Sequence, residues 1–265
     1  MLHGFEHTVL ESISCVAEGP AAIAISRGGA KKTYHHRDPN EDACGFSWNE
    51  RGTLLVVADG HAGADAAQVA VERVIEEHAE RLLGGGTPDT GERWEHAAFE
   101  LVLDIHEEIL RRTEVVAEHP TRTTLSVALA RPAEDWLGWL SVGDSLCFRA
   151  EPDRVWKSTL PKRITYLGSP RDDRARLANA VASGTAPLAG ARAIALATDG
   201  LSEEGIGVAT PADAVHRALA AAQSAPTPDL RPLDAARRIA QTANDAHREQ
   251  RAGDNIATAV AWLAP

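Results

Sequence analysis

Short apolar runs, each closed by a polar or glycine-containing turn, dominate this chain. Ala21–Ser26, Thr53–Ala58, Thr123–Ala130, Trp136–Val142, Leu146–Ala150, Arg192–Thr198 and Ile256–Leu263 have the length and boundaries of strands. A different period begins at Asp65. Ala67, Ala70, Val71, Val74, Ile75, His78, Ala79 and Leu82 recur at i, i+3 and i+4, which predicts an amphipathic helix over Asp65–Leu83, ended by Gly84-Gly85-Gly86. A second helix is predicted over Trp94–Thr113, with Leu101, Val102, Ile105 and Ile109 on its inner face. Two more are predicted over Pro211–Ala222 and Pro232–Arg251. In mid-chain, strand follows strand with no helix between, which favours antiparallel hairpins and an α+β fold over a doubly wound one. The linker-like stretches Gly84–Gly91 and Ser224–Pro232 are short and no repeat is present, so residues 1–265 read as one domain.

Composition narrows the function classes. The 265 residues are 44% hydrophobic, with no apolar run of about 18 residues that could span a bilayer. Met1-Leu2-His3-Gly4-Phe5-Glu6 lacks the basic and apolar regions of a leader, so a cytoplasmic protein without membrane attachment is expected. The net charge of −11 argues against nucleic acid as a partner. Cys15, Cys44 and Cys147 are odd in number and widely spaced, and are expected to be small packed thiols.

The chemistry lies where the apolar runs end. Leu54-Leu55-Val56-Val57-Ala58 runs into Asp59-Gly60-His61-Ala62-Gly63, and Ala193-Ile194-Ala195-Leu196-Ala197 runs almost directly into Asp199-Gly200-Leu201. Arg37-Asp38-Pro39-Asn40-Glu41-Asp42 and Asp254-Asn255 complete the acidic set. A carboxylate at the end of a buried strand is costly to desolvate unless it is paired or bound to a cation. Several gathered in one place make a hard-cation site of the Mg²⁺ or Mn²⁺ type. Taken alone, each Asp-Gly pair is also an ordinary hairpin turn. Ser26–Thr33 superficially suggests a phosphate loop, but its second glycine does not precede Lys-Thr directly, and it reads as a solvated basic turn. His35 and His36 read as loop residues.

Arg-x-x-Asn-Glu-Asp, Asp-Gly-His-x-Gly, Thr-Thr-Leu, Gly-Asp-Ser, Thr-Asp-Gly-Leu and Gly-Asp-Asn-Ile occur here in that order. The ordered set, from Arg37 to the end, resembles the metal-dependent type-2C protein phosphatases of bacteria and other organisms. The resemblance implies a β-sandwich of two antiparallel sheets flanked by helices, in α-β-β-α layers. It implies two Mn²⁺ or Mg²⁺ ions in a cleft at one end, with Glu41, Asp59, Asp199 and Asp254 as acidic ligands. Asp59 matches the bridging carboxylate, Gly60 a backbone-carbonyl ligand, and Asp42 a residue that contacts water on the metal. Arg37 matches the phosphate clamp, and His61 the general acid that protonates the leaving alkoxide. Asp144 and Glu203 match residues of a third ion, although Leu146 stands where Arg is usual and Glu203 where Asp is common.

The implied activity is hydrolysis of phosphoserine and phosphothreonine in proteins by a water activated between two metals. The substrate would be a phosphorylated protein supplied by a serine/threonine kinase, and the enzyme is expected to act as a monomer. A small-molecule phosphomonoesterase of the same fold and a non-catalytic regulatory relative remain alternatives. One segment departs from the family. Residues 157–190 should form a flap beside the metals, but here it is shortened and basic, with Lys157, Lys162, Arg163, Arg171, Arg174 and Arg176. It reads either as a solvated loop or as an electrostatic guide for acidic phosphoprotein segments.

Overall fold

The computed structural model describes residues 1–84, 90–113, 120–158 and 165–263. Two six-stranded antiparallel sheets lie face to face. Across the first, the order is Leu2–His3, Ala43–Asn49, Gly52–Ala58, Leu125–Arg131, Trp136–Val142 and Ala182–Ala186. Across the second it is Val155–Lys157, Leu146–Ala150, Ala193–Ala197, Ile256–Trp262, Ala21–Ser26 and Ile13–Glu18. Helical segments over Asp65–Leu83 and Gly91–Thr113 cover the outer face of the first sheet, and Pro211–Ala222 with Arg231–Gln250 covers the second. The α-β-β-α layering expected from the sequence is the observed fold.

Alternation along the central strands of the second sheet explains the layering. Ile23, Ile25, Ile194 and Leu196 point between the sheets, where they meet Leu55, Val57 and Leu137. Their neighbours Ala22, Ala24, Ala193, Ala195 and Ala197 point to the opposite face and pack against Ala235, Ala236, Ile239, Ala240 and Ala243 of the last helix. Period-two alternation of large and small residues therefore buries both faces, with the large side chains in the inter-sheet layer and alanines where a helix must approach closely. On the other side, Leu101, Val102, Ile105 and Ile109 are buried, as their helical spacing predicts. The helix over Asp65–Leu83 is continuous, but winds as a π-type stretch over Arg73–His78. The linker-like stretch after it falls largely on residues 85–89, outside the described residues.

The sequence pattern marks none of the four edge strands, nor the inner strand Ala43–Asn49. Ile13–Glu18 and Val155–Lys157 are half-buried to exposed, and Ala182-Ser183-Gly184-Thr185-Ala186 holds its place through backbone pairing with Leu137–Ser141. An edge strand needs little apolar surface, so it leaves little periodicity to read. The flap region also differs from expectation. Arg174–Ala180 is a helix, begun by the Asp173 side chain accepting from the Arg176 N–H at 2.9 Å. Arg174 pairs with Glu100 at 2.6 Å and lies over the Phe99 ring. Lys162 and Arg163 lie outside the described residues.

Candidate metal centre and phosphate site

Strand register brings the acidic turns to one end of the sandwich. Ala43 faces Ala58 and Leu125 faces Val142 in the first sheet, while Leu146 faces Ala197 and Ile256 faces Ser26 in the second. The residues just beyond these strand ends are Asp42, Asp59, Asp144, Asp199 and Asp254. Parts of the chain separated by more than a hundred residues thus deliver their carboxylates to a single cleft.

Carboxylate oxygens of Asp59, Asp144 and Asp199 lie within 4.8 Å of one another, as do those of Asp199, Glu203 and Asp254. Asp199 belongs to both groups. Asp144 and Glu203, matched by resemblance to a third ion, do not form a cluster of their own but join Asp199 in different groups. Asp42 Oδ1, Asp144 Oδ1 and Glu203 Oε2 are buried with no hydrogen-bond partner among the described residues. Burial first, then mutual repulsion, pushes the Asp59 and Asp199 carboxyls well above the usual carboxylate range. The same causes raise Asp42 to about 7, and burial followed by contact with Asp254 raises Glu203 to about 7. Hard oxygen donors, crowded and short of partners, fit a hard divalent cation.

The polar residues of the sequence blocks hold this arrangement. Thr124 Oγ1 accepts from the Asp59 N–H at 3.1 Å and contacts Ser145 Oγ at 3.0 Å, joining three blocks. The Thr124 N–H and the Thr123 hydroxyl both donate to the Asp59 carbonyl at 2.9 Å. Thr198 donates to Asp42 Oδ2 at 2.7 Å. Asn255 accepts from the Glu41 N–H at 2.8 Å and donates to the carbonyls of Arg27 and Pro39. Gly60 is required by proximity, since a Cβ there would stand 2.3 Å from the Glu41 carbonyl oxygen.

Glu41 takes a different position from the other matched ligands. It is buried, yet it belongs to neither carboxylate group among the described residues. Its Oε1 accepts from the N–H groups of Arg37 and Asp38 at 3.0 and 3.3 Å, and its Oε2 faces Lys32 Nζ at 3.4 Å. Lys32 overturns the reading of Ser26–Thr33 as a solvated turn, because its side chain is only 3% exposed and also meets Asp254 at 3.3 Å. Burial opposes its charge, but Asp254, Asp42, Glu41 and Asp59 outweigh burial and raise its pKa. No strand or helix pattern marks a lysine that turns inward from a loop.

Arg37 is exposed, with its Cδ 3.4 Å from where a Cβ on Gly63 would stand. Asp38 accepts from the Ala64 N–H at 2.9 Å and ties this loop to the start of the Asp65 helix. His61 sits in a two-residue strand opposite Arg122 and stacks on Tyr166, with ring centroids 4.5 Å apart. The Arg122 guanidinium lies 5.5 Å from the Tyr166 ring centre. Burial, then the Arg122 charge, lowers the His61 pKa. Tyr166 is held through its neighbour Leu167, which makes reciprocal backbone bonds with Thr123 at 2.8 and 3.1 Å. His35 and His36 are loop residues, as expected, and Cys15, Cys44 and Cys147 are free thiols. Among the described residues no helix is long and apolar enough to cross a membrane.

Comparison with known proteins places this geometry. No curated protein matches the sequence. Among solved structures, a bacterial serine phosphatase superposes with a TM-score of 0.67 at 20% identity, covering 92% of this chain and 97% of that one. The serine/threonine phosphatase Stp1 from Staphylococcus aureus gives 0.63 at 22%, covering 98% and 97%. The Mycobacterium tuberculosis serine/threonine phosphatase PstP/Ppp gives 0.61 at 19%, covering 96% and 99%. At these identities the likeness speaks for the fold. The profile of the protein phosphatase 2C family matches residues 29–232, most of the sequence and nearly all of the acidic set, and the chain belongs to that family.

Proposed function

We propose that the chain is a cation-dependent phosphatase that removes phosphate from phosphoserine and phosphothreonine in proteins. The observation that carries this is the convergence of buried, underpartnered carboxylates beside an exposed arginine, in a chain of this family. Asp59, Asp199 and Asp254, with Gly60, Asp42 and Glu41 around them, would hold two ions of the Mn²⁺ or Mg²⁺ type. Asp144 and Glu203 supply the further oxygens a third would need. When bound, such ions activate a water and neutralise phosphate oxygens.

The chain's own residues do the rest. Arg37, exposed beside Glu41, carries a planar guanidinium suited to two parallel hydrogen bonds with a phosphate. The protonated His61 ring, the imidazolium, donates an N–H proton to the departing seryl or threonyl oxygen and is left as neutral imidazole. Tyr166 stacks on that ring and fixes its plane. The carboxylates hold cations and do not attack phosphorus, so no phosphoenzyme forms. The whole chain serves as one catalytic domain, with a shortened flap over residues 157–190. It acts as a cytoplasmic monomer on phosphoproteins made by a serine/threonine kinase.

The test is phosphate release from phosphothreonine and phosphoserine peptides, p-nitrophenyl phosphate and a sugar phosphate, each with Mn²⁺ or EDTA. The proposal expects Mn²⁺-dependent turnover with kcat/KM highest on the peptides. Preference for the sugar phosphate would move the reading to a small-molecule phosphatase. No turnover on any substrate would leave a non-catalytic relative.

A further inference from the structure

One oxygen of the candidate metal centre is already fully engaged. Asp254 Oδ1 faces Lys32 Nζ at 3.3 Å and accepts from the Tyr34 hydroxyl and, at 2.7 Å, from the Asn255 N–H. Lys32 also meets Glu41 Oε2 at 3.4 Å, so its ammonium bridges two residues matched to metal ligands. Its Nζ lies 5.2 Å from the centre of the Tyr34 ring, which covers it from the solvent side. With 3% of its side chain exposed, this lysine is not presented to a substrate.

The segment carrying these two residues is clamped. Lys32 pairs with Gly253 as an isolated parallel bridge, and the Gly253 N–H donates to the Lys31 carbonyl at 3.1 Å. A Cβ on Gly253 would stand 1.9 Å from the Ala30 carbonyl oxygen, so residues 30–34 lie directly on the Asp254 turn. A cation and its cover are thus part of the fold beside the carboxylates.

We propose that Lys32, capped by Tyr34, is a built-in competitor of the divalent ions and sets the metal affinity of this chain. The inference rests on the metal reading above. An ammonium held between Asp254 and Glu41 occupies oxygens a divalent ion would draw on, and it repels a second cation brought close to it. Metal binding then requires the lysine and the tyrosine hydroxyl to release Asp254 Oδ1. The protein gains a site that stays folded without metal, at the expense of tight binding.

Calorimetric titration of metal-free protein with Mn²⁺ tests this, alongside thermal melting in EDTA. Lys32→Met should bind Mn²⁺ at least tenfold more tightly and melt at a lower temperature in EDTA, because the carboxylates lose their internal counter-charge. Tyr34→Phe, which keeps the ring and frees one donor from Asp254, should tighten binding by a smaller factor. It provides the same comparison should Lys32→Met fail to fold. If the unaltered chain binds Mn²⁺ and neither variant binds it more tightly, the competitor role is overturned and the metal site stands. If neither the unaltered chain nor either variant binds Mn²⁺, the site reading fails and this inference falls with it.

Discussion

Replacing Asp199 by Asn should stabilise the metal-free protein and remove most of the stabilisation that Mn²⁺ confers. Asp199 is shared by both carboxylate groups, whose oxygens lie within 4.8 Å of one another. Burial is the largest cause of its raised pKa, followed by Asp254, Asp144, Glu203 and Asp42. Two full charges at about 5 Å repel by roughly 3 kcal/mol at an effective dielectric near 20. Proton uptake relieves that repulsion, but each unit of pH above the ordinary carboxylate pKa then costs about 1.4 kcal/mol. At pH 7 the upper bound is roughly 4 kcal/mol, and the desolvation of the new amide offsets part of it. A net gain of about 2 kcal/mol remains for Asp199→Asn in EDTA, or roughly 4–8 °C in Tm for a chain of this size. A ligand at a thousandfold its Kd adds about 4 kcal/mol to the unaltered protein. The order of the two proteins should therefore reverse between EDTA and saturating Mn²⁺. Scanning calorimetry in both conditions reads this directly. A lower Tm for Asp199→Asn in EDTA would mean the carboxylate is structurally paired. An equal Mn²⁺ shift in both proteins would mean that it is not a ligand.

Three further outcomes are expected. His61→Gln keeps a polar side chain but removes the transferable proton, so turnover should fall by about 10²–10⁴ on phosphopeptides and much less on p-nitrophenyl phosphate; equal losses would make His61 a positioning residue only. His247 is buried, donates from Nε2 to the Gly200 carbonyl at 2.7 Å and accepts at Nδ1 from the Gly29 N–H at 3.3 Å, a pattern that needs the neutral ring. Burial lowers its pKa, so its contribution to stability is complete above about 6.5 and lost as pH falls below that value. The Tm difference between the unaltered protein and His247→Gln should shrink from pH 7.5 to 5.5, and a constant difference would contradict the neutral-ring assignment. Arg171→Glu should raise KM for acidic phosphopeptides at low salt and leave kcat on p-nitrophenyl phosphate unchanged. Arg174→Glu should instead lower Tm through loss of Glu100 and Phe99, and a KM insensitive to Arg171 and to salt would make the flap a plain loop.

Seven of the eight inner strands and the long helices were legible because both of their faces, or one continuous stripe, are buried; the eighth, Ala43–Asn49, was not, since its burial falls away from Phe46 to Asn49. Ala21–Ser26, Trp136–Val142, Leu146–Ala150 and Pro211–Ala222 match the sequence reading residue for residue. The edge strands were not legible, because pairing along one side asks little of their side chains. The helix at Arg174–Ala180 had a signal, an N-capping Asp173 ahead of apolar Leu177 and Ala180, but the surrounding charges obscured it. At the site, the aspartates were visible as carboxylates ending apolar runs. Lys32, Tyr34, Arg122 and Tyr166 were not, since each reaches the cleft from a loop or short strand where no period constrains side-chain direction. Thr123, Thr124, Ser145 and Asn255 belong to sequence motifs whose role the structure shows: they hold the aspartate turns together.

The central claim is that carboxylates from separate turns form one divalent-cation centre. Anomalous diffraction at the manganese edge, from crystals of the protein grown with Mn²⁺, addresses it most directly. Two anomalous peaks are expected within coordinating distance of Asp59, Asp199 and Asp254, and their loss is expected in Asp199→Asn crystals. A cleft without peaks in the unaltered protein, or peaks that persist unchanged in the variant, would contradict it.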